Sequence, residues 1–505
     1  MRGVEYIESE IPSLQVKDKA VYSGGLMVTT RLVGTVVGFV STIILARLLT
    51  PRDFGLVAMV TVFSLLLFNV GLNGFLESII QSKKINHDQI STLFWIGLAI
   101  SSSLSLIFVF ASPLLALLYK EPKVIPISRV MAIGFIFSAL ATEHLALIMR
   151  KLQFYKIMIN ELVSGVISTF IAIAMALLGF GYWAIVARQL SVPIIVAILS
   201  WIQCSWRPGL PKKKAGIRPM LKFAINTFGN FSINYFARNI DKTILGWKWG
   251  SFQLGNYDRA YRLFVLPVNQ LIDPLSSVAL SALSKIKDNT EMYKKYYLRS
   301  LSLIGFLGMY ISSILTISGR EIIYLLLGPK WNQAGIVFTA FGPAVAVILI
   351  YQTIGWLFLS QGRPDALLKW TIAATLLMTA SYLFGVRFGA IGMALAYGIS
   401  LYILIIPGLY FAGRYAGIGL KDIWYIIWRY IFTAIISSLA AIISISLIIS
   451  PLGQVSSFLR LVLKLFIITI TYLVIILVIF RQEQQVYDFV NIIRIMLKKK
   501  DNGDK

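Results

Sequence analysis

Polar side chains recur at every fourth position within one long stretch of this sequence, residues 220–247. The repeating residues are Asn226, Asn230, Asn234, Arg238 and Lys242. On an α-helix this spacing places them in one slowly drifting stripe. Amide and cationic side chains in such a stripe can bind a polar, anionic group through hydrogen bonds and charge.

The helix that must position this stripe is otherwise apolar and long enough to cross most of a membrane. From Asn226 to Lys242 the stripe extends about 24 Å at 1.5 Å per residue, against a hydrocarbon core about 30 Å thick. A charge near the bilayer centre is costly unless it faces water or a partner. Two interpretations remain open. Arg238 and Asp241 could neutralise each other in a packed interface, or the stripe could line a water-filled, cationic pathway for an anionic cargo.

The composition is that of a polytopic helical membrane protein. Of 505 residues, 57% are hydrophobic and 14% are charged, with a mean hydropathy of +0.78, which fits no soluble globular class. In a soluble protein the formal charge of +25 would suggest nucleic acid. Here the basic residues lie in short segments between apolar runs, as the positive-inside rule expects, so we predict no nucleic-acid partner.

The sequence predicts neither a metal site nor a catalytic site. Cys204 is the single cysteine, and His87 and His144 are the only histidines, which is too few for an imidazole metal site. We find no nucleophile–base pair, no P-loop and no carboxylate pair with glycosidase-like placement. We therefore expect no enzymatic activity and no cofactor, with energy supplied by an ion gradient or by the membrane potential.

The apolar segments predict an all-α fold with about 14 transmembrane helices. Most of the 47 Lys and Arg residues fall on one side when the N-terminus is inside, which predicts that both termini are cytoplasmic. A polar leader precedes the first apolar run, so we expect no cleavable signal peptide. The predicted regions are a cytosolic leader (1–22), an N-terminal six-helix bundle (23–204), a basic cytosolic linker (205–219), a C-terminal six-helix bundle (220–413), two extra transmembrane helices (424–480) and a basic amphipathic tail (481–505).

The two halves of the chain match at an offset of 200 residues. The matching pairs are Ile44-Leu45 with Ile244-Leu245, and Phe54-Gly55 with Leu254-Gly255. The match predicts a six-helix unit used twice in the same orientation, with the cargo site between the two copies. For the tail, an apolar face followed by lysines predicts a helix that lies on anionic phospholipids of the inner leaflet; a solvated tail is the alternative.

Charges within the other apolar segments are mostly cationic. Outside the stripe, the candidates for anion binding are Arg31, Arg188, Arg259 and Arg262. Arginine suits phosphate because its planar guanidinium offers a fork of donors, which favours a pyrophosphate or an acidic sugar as cargo. Glu161 and Asp241 are the candidates for coupling to proton or sodium movement. Glu143 and His144 also interrupt an apolar segment, and we assign them no role.

Four segments of the sequence resemble a known family. They are IILARLLTPRDFGLVAMV at 43–60, RNIDKTILGWKWGSFQLGNYDRAYRLFVLP at 238–267, ALSKIKDNTE at 282–291 and LLGPKWNQA at 326–334. In this order they are similar to the bacterial polysaccharide-transport branch of the MOP (multidrug/oligosaccharidyl-lipid/polysaccharide) exporter superfamily, and most of all to the group of colanic-acid, lipopolysaccharide and teichuronic-acid exporters.

The resemblance implies a V-shaped pair of six-helix bundles in the bacterial inner membrane. It also implies outward flipping of undecaprenyl-pyrophosphate-linked oligosaccharide by alternating access, with polysaccharide polymerase machinery as a possible partner. Basic cavity positions are common in such proteins, which agrees with Arg31, Arg238 and Arg259. The rival functions are an exporter of peptidoglycan precursors or drugs with the same fold, a membrane glycan polymerase or ligase, and a scaffold for polysaccharide machinery.

Overall fold

The computed structural model describes residues 33–82, 84–213, 215–448, 456–481 and 487, of which 71–73 as backbone only. Within these ranges all regular secondary structure is helical. The chain divides into two compact units, residues 1–255 and 256–505. The predicted division at the basic linker 205–219 stays a prediction.

Seven helices form the described part of the first unit. They are α1 (Val33–Leu48), α2 (Pro51–Gln81), α3 (His87–Tyr119), α4 (Val124–Arg150), α5 (Phe154–Leu177), α6 (Tyr182–Gln203) and α7 (218–249). A π-helical turn, Gly71–Leu76, interrupts α2.

Eight helices follow in the described part of the chain after α7. They are α8 (251–285), α9 (Thr290–Leu327), α10 (Asn332–Phe341), α11 (Ala344–Ser360), α12 (Pro364–Gly385), α13 (Gly389–Ala416), α14 (Leu420–Ile448) and α15 (Ser457–Val474).

The chain forms a multi-pass membrane protein, as the composition predicts. Ten described helices are long and apolar enough to cross a bilayer, or eleven when the bent pair α10–α11 is one span. That count treats α7 with α8, and α12 with α13, as single long helices. A helix lies at each apolar segment identified in the sequence, but the total of fourteen crossings stays a prediction.

Local sequence signals set several helix ends. The Asn86 side chain accepts a hydrogen bond from the backbone N–H of Gln89, and the Asn86 backbone N–H donates to the side-chain oxygen of Gln89, which makes a capping box at the start of α3. Asn289 and Ser456 cap α9 and α15 in the same direction. Pro364 begins α12, where a missing backbone donor costs nothing. These caps remove orphan backbone donors at helix ends, so the sequence fixes where the helices begin.

Gly250 separates α7 from α8. Without it, 218–285 would be one helix about 100 Å long, three times the thickness of a hydrocarbon core. Gly250 has φ of +75°, a conformation that favours glycine because a Cβ would clash there. This single residue therefore ends the helix that carries the polar stripe.

The starts of α2 and α8 cross in a reciprocal contact inside the first unit. A Cβ added to Gly55 would overlap the carbonyl of Ser251, and one added to Gly255 would overlap the carbonyl of Pro51. Residues 51 and 55 stand 200 positions before residues 251 and 255. The start of each helix therefore makes the same contact with the start of the other, as in a local two-fold symmetry. The offset found in the sequence thus has a counterpart in the packing.

In the second unit, α15 is anchored to α9 by polar groups within an apolar interface. The hydroxyl of Tyr472 donates to the carbonyl of Phe306 at 2.8 Å, and Lys464 pairs with Glu321 at 2.5 Å. An ion pair in this setting is costly to break because one charge would stay buried alone. The two extra helices are therefore part of the second unit rather than loose additions.

We expect Gly55→Ala to lower the apparent melting temperature in detergent, because its methyl group must push the Ser251 carbonyl away. Overpacking of this kind costs about 1–3 kcal/mol. The matched control is Gly165→Ala in α5, where nothing lies within 4 Å of the added Cβ; there we expect no loss, since alanine favours helix. A Gly55→Ala protein as stable as the control would contradict the close approach.

Candidate functional site

The polar stripe of α7, defined as Asn226, Asn230, Asn234, Arg238 and Lys242, forms as the sequence predicts. All members lie in one uninterrupted helix. The first four side chains are exposed, and Lys242 is partly buried. The spacing of four residues keeps them on one face, so the helix offers a continuous row of amide and cationic groups.

Hydrogen bonds along the helix orient the stripe. The amide nitrogen of Asn234 donates to the Asn230 side chain at 2.7 Å and to the Asn230 backbone carbonyl at 2.9 Å. The ammonium of Lys242 donates to the side-chain oxygen of Asn239 at 3.2 Å. Next to the stripe, the hydroxyl of Tyr235 reaches the carbonyl of Thr61 on α2 at 3.4 Å. These contacts limit the rotamers that the polar groups can adopt.

The α7 helix is exposed on two faces of different polarity. Ile225 and Ile233 are 70% and 74% exposed and stand next in sequence to Asn226 and Asn234. Large aliphatic groups are at home in hydrocarbon, whereas the asparagines and Arg238 are not. In a membrane this arrangement suits a helix with lipid on one side and water on the other.

Arg238 is the exposed cation of the stripe. Its guanidinium makes no hydrogen bond or ion pair with any residue in the described ranges, whereas Asp241, three residues later, is 3% exposed. The structure therefore does not bear out the sequence interpretation in which Arg238 and Asp241 only neutralise each other. A guanidinium with its donors available is suited to a phosphate or carboxylate.

On α8, in the second unit, Asp258 binds two arginines at once. One carboxylate oxygen accepts from Arg262 Nε at 2.8 Å and from Arg259 Nη2 at 3.2 Å. Asp258 is 1% exposed, whereas the Arg262 side chain is half exposed. These three side chains sum to a formal charge of +1, so the carboxylate offsets one cation and leaves the cluster positive.

The remaining predicted residues lie on separate helices. Arg188 is partly buried on α6 beside Gln189, whose side-chain oxygen accepts from Thr61 at 3.2 Å. Glu161 on α5 is exposed. Arg31 lies outside the described residues. The roles proposed for these residues stay predictions.

Sequence reasoning assigned no role to Glu143 and His144, which are the most deeply buried titratable pair of the first unit, at 1% and 0% exposure. The signal was present, because two adjacent titratable residues interrupt an apolar segment. Among the described residues, no group of three or more His, Cys, Asp or Glu side chains is placed to hold a metal ion.

An apolar cleft of about 770 Å³ opens in the second unit. Side chains of α9, α11, α13 and α14 line it, among them Val347, Ile406 and Ile431. A cleft of this volume matches the size of small-molecule sites, and its lining suits a hydrocarbon chain rather than a sugar.

Comparison with known proteins identifies relatives of this chain in polysaccharide biosynthesis. The sequence profile of a family described as "Polysaccharide biosynthesis protein" matches residues 44–335. The chain is 25% identical to lipopolysaccharide biosynthesis protein WzxC of Escherichia coli (strain K12), over 71% of this chain and 74% of that protein. It is 22% identical to teichuronic acid biosynthesis protein TuaB of Bacillus subtilis (strain 168), over 66% and 68%, and 22% identical to succinoglycan biosynthesis transport protein ExoT of Rhizobium meliloti (strain 1021), over 70% and 72%.

Solved structures share the fold. The lipid II flippase MurJ in its inward closed conformation superposes with a TM-score of 0.69 at 16% identity, covering 90% of this chain and 99% of that one. An inward-facing multidrug resistance MATE transporter of the MOP superfamily superposes with a TM-score of 0.56 at 15% identity, covering 76% and 94%. The fold is therefore that of MOP-superfamily transporters, as the sequence resemblance implied.

We expect single cysteines along the stripe to react with a charged, membrane-impermeant thiol reagent. The chain suits this test because its one cysteine, Cys204, is buried and can be replaced by alanine. A thiol reacts as the thiolate, which forms in water, so Asn234→Cys should be labelled at least about tenfold faster than its neighbour Ile233→Cys. Equal rates at the two positions would show that the stripe does not face water.

We expect Asp258→Asn to destabilise the second unit. Removing one partner of a buried ion pair costs about 3–5 kcal/mol, and a smaller loss is expected here because the half-exposed Arg262 can be solvated. Asp258→Asn/Arg259→Gln should regain part of the melting temperature, since the buried cation is gone. Asp288→Asn, which removes an exposed carboxylate, is the control. A double variant no more stable than Asp258→Asn alone would argue against the pairing.

Proposed function

Because this chain belongs to the family of polysaccharide biosynthesis proteins, we propose that it flips a lipid-linked oligosaccharide from the inner to the outer leaflet of the bacterial inner membrane. The cargo is a polysaccharide repeat unit on undecaprenyl pyrophosphate. The protein works by alternating access, with both termini in the cytoplasm. The observation that carries this proposal is the exposed polar stripe on α7, with lipid-compatible isoleucines on the same helix.

In this proposal the two chemical parts of the cargo meet different surfaces. The asparagines of the stripe exchange hydrogen bonds with sugar hydroxyls, and Arg238 and Lys242 bind the pyrophosphate by charge. The Asp258 cluster, through Arg259 and Arg262, adds positive charge on α8. The prenyl chain stays in hydrocarbon.

Several features favour this function over its rivals. A drug-cation exporter needs acidic binding groups, whereas Arg238 and the Asp258 cluster are positive. A glycan polymerase or ligase needs placed acid, base or metal groups, and the polar stripe supplies binding groups instead. The relatives named above include one transport protein, and a flippase shares the fold. A peptidoglycan precursor is also linked to a prenyl pyrophosphate, so these features do not distinguish between the glycans that such a carrier can bear.

The proposed transport needs no cofactor, because the membrane potential acts on the charged cargo. Moving one elementary charge through 100 mV is worth about 2.3 kcal/mol. With the interior negative, a pyrophosphate cargo is driven outward. Anionic phospholipids and the polysaccharide polymerase are proposed partners, the first through the basic tail 481–505, which lies outside the described residues apart from Arg481 and Tyr487.

The test is reconstitution of the purified protein with labelled lipid-linked oligosaccharide in vesicles. Exposure of the sugar is scored with an impermeant sugar-modifying reagent. Arg238→Ala should slow flipping about tenfold or more, because a hydrogen bond to a charged group is worth about 1.5–3 kcal/mol. Arg238→Lys should retain more activity, since it keeps the charge and loses only the fork of donors.

The matched control for this experiment is Arg129→Ala, which removes an exposed cation from α4. Its flipping rate should equal that of the unmodified protein. If vesicles with and without protein expose the sugar equally fast, the flippase assignment is wrong. If protein accelerates exposure and Arg238→Ala does so equally, only the assignment of Arg238 fails.

A further inference from the structure

Glu143, on α4, is buried within the first unit with an oxygen that nothing satisfies. Its Oε2 has no hydrogen-bond partner among the described residues. Its other oxygen, Oε1, lies 3.6 Å from the place where a Cβ of Gly97 would stand, and ring carbons of Phe75 lie 3.6–3.7 Å from the same place. The Glu143 carboxyl group and the Phe75 ring therefore approach the same point beside Gly97. A bare carboxylate in such surroundings is strongly disfavoured, so Glu143 requires a positively charged ligand.

The surroundings of Glu143 favour a proton over a metal ion as that ligand. A hard cation such as Ca²⁺ or Mg²⁺ takes about six or more oxygen ligands. Among the residues that the structure describes, no group of three or more His, Cys, Asp or Glu side chains around Glu143 is placed to hold such an ion. A proton needs only the carboxylate itself, because it forms one O–H bond and cancels the charge.

Both histidines of the chain contact Trp206 at this end of the unit. The buried ring of His144, next to Glu143, stacks on Trp201 at 4.5 Å and meets Trp206 edge-on at 5.2 Å. On the other side of Trp206 is the exposed His87, whose Nδ1 accepts from the Trp206 indole at 3.0 Å. Neither ring nitrogen of His144 has a hydrogen-bond partner among the described residues, so no hydrogen bond joins the His144 ring to Glu143.

Other titratable groups occur on the helices that pack against α4. Among them are Glu77 on α2, Asp88 on α3, Lys156 and Glu161 on α5, and Arg188 on α6 with Arg207 after it. Asp88 pairs with Lys212 at 2.7 Å, and Lys156 donates to the backbone carbonyl of Gln203. The guanidinium of Arg207 lies 5.3 Å from the Trp201 ring, on which His144 stacks.

The neighbourhood of Glu143 is also linked to the helix that carries the polar stripe. Phe75, which packs beside the carboxyl group, belongs to the π-helical turn Gly71–Leu76 of α2. In the same turn, a Cβ on Gly74 would stand 3.0 Å from the carbonyl of Ala224 on α7, two residues before Asn226. A π-helical turn is a metastable irregularity often found at functional sites, and here it touches both Glu143's surroundings and α7.

We propose that Glu143 is an internal proton-binding site, and that its protonation sets the position of α7 against the π-helical turn of α2. The step is a proton transfer alone, in which an O–H bond of a hydronium ion breaks and the O–H bond of the carboxylic acid forms. Its use in coupling a proton gradient to cargo movement rests on the flippase function proposed above.

The first test detects the protonated carboxyl group of Glu143 directly and requires no transport activity. Infrared difference spectra of the full-length protein in lipid, recorded between pH 5 and pH 8, should contain the carbonyl-stretch band of a protonated carboxylic acid in an apolar environment. The band should persist in Glu291→Gln, which removes an exposed carboxyl group of α9, and be lost in Glu143→Gln. Glutamine has the shape of the protonated acid, so this variant should elute as the unmodified protein does in gel filtration. A band that persists in Glu143→Gln, or that disappears in Glu161→Gln instead, overturns the proposal.

The second test measures whether the protonation of Glu143 changes the exposure of α7. With Cys204 replaced by alanine, the labelling rate of Asn226→Cys by an impermeant thiol reagent is measured from pH 5 to pH 8 and divided by that of a small soluble thiol. We expect this ratio to change at least threefold across the range, and to be constant in Glu143→Gln. A ratio with the same pH dependence in both proteins overturns the link. Failure of flipping in vesicles, with both signals intact, would remove the flippase function and leave the proton site standing.

Discussion

A guanidinium or carboxylate inside a bilayer must face water, a counter-charge or a proton, because hydrocarbon solvates none of them. The polar groups of this protein follow that constraint in three different ways. Arg238 is exposed in a row of amide groups on α7. Asp258 is buried and pairs with two arginines. Glu143 is buried with an unsatisfied oxygen, which is the reason we assign it a proton. Each of these environments gives its residue a different role.

The stripe and the buried glutamate are connected through ordinary packing. The same helix, α7, presents polar groups to one side and touches the π-helical turn of α2 at Gly74 on another. A turn of this kind can tighten to regular helix, and helices on either side then shift together. In a protein that must alternate between two arrangements, a metastable turn beside an ionisable group provides an element with two states for the proton to bias.

Much of the architecture could be predicted from local features of the chain. Apolar segments of membrane-crossing length gave the position of every described helix, and capping residues such as Asn86 and Asn289 agree with where helices begin. The reciprocal packing of Gly55 and Gly255 matches the repeat seen at an offset of 200. By contrast, the apolar segment at the bent pair α10–α11 predicts one span, although Gly342 and Pro343 at the break are a local signal for a kink.

The sequence by itself determined that the chain is a helical membrane protein, that α7 carries a polar stripe, and that this stripe is cationic. These properties depend on composition and periodicity, which are local. Only the tertiary structure decided which charges are buried: Asp258 is buried, whereas Arg238 stays exposed near a buried Asp241. It also decided that Glu143 is buried with an oxygen that has no partner among the described residues, whereas Glu161 is exposed, because burial and hydrogen bonding depend on neighbours that are distant in the sequence.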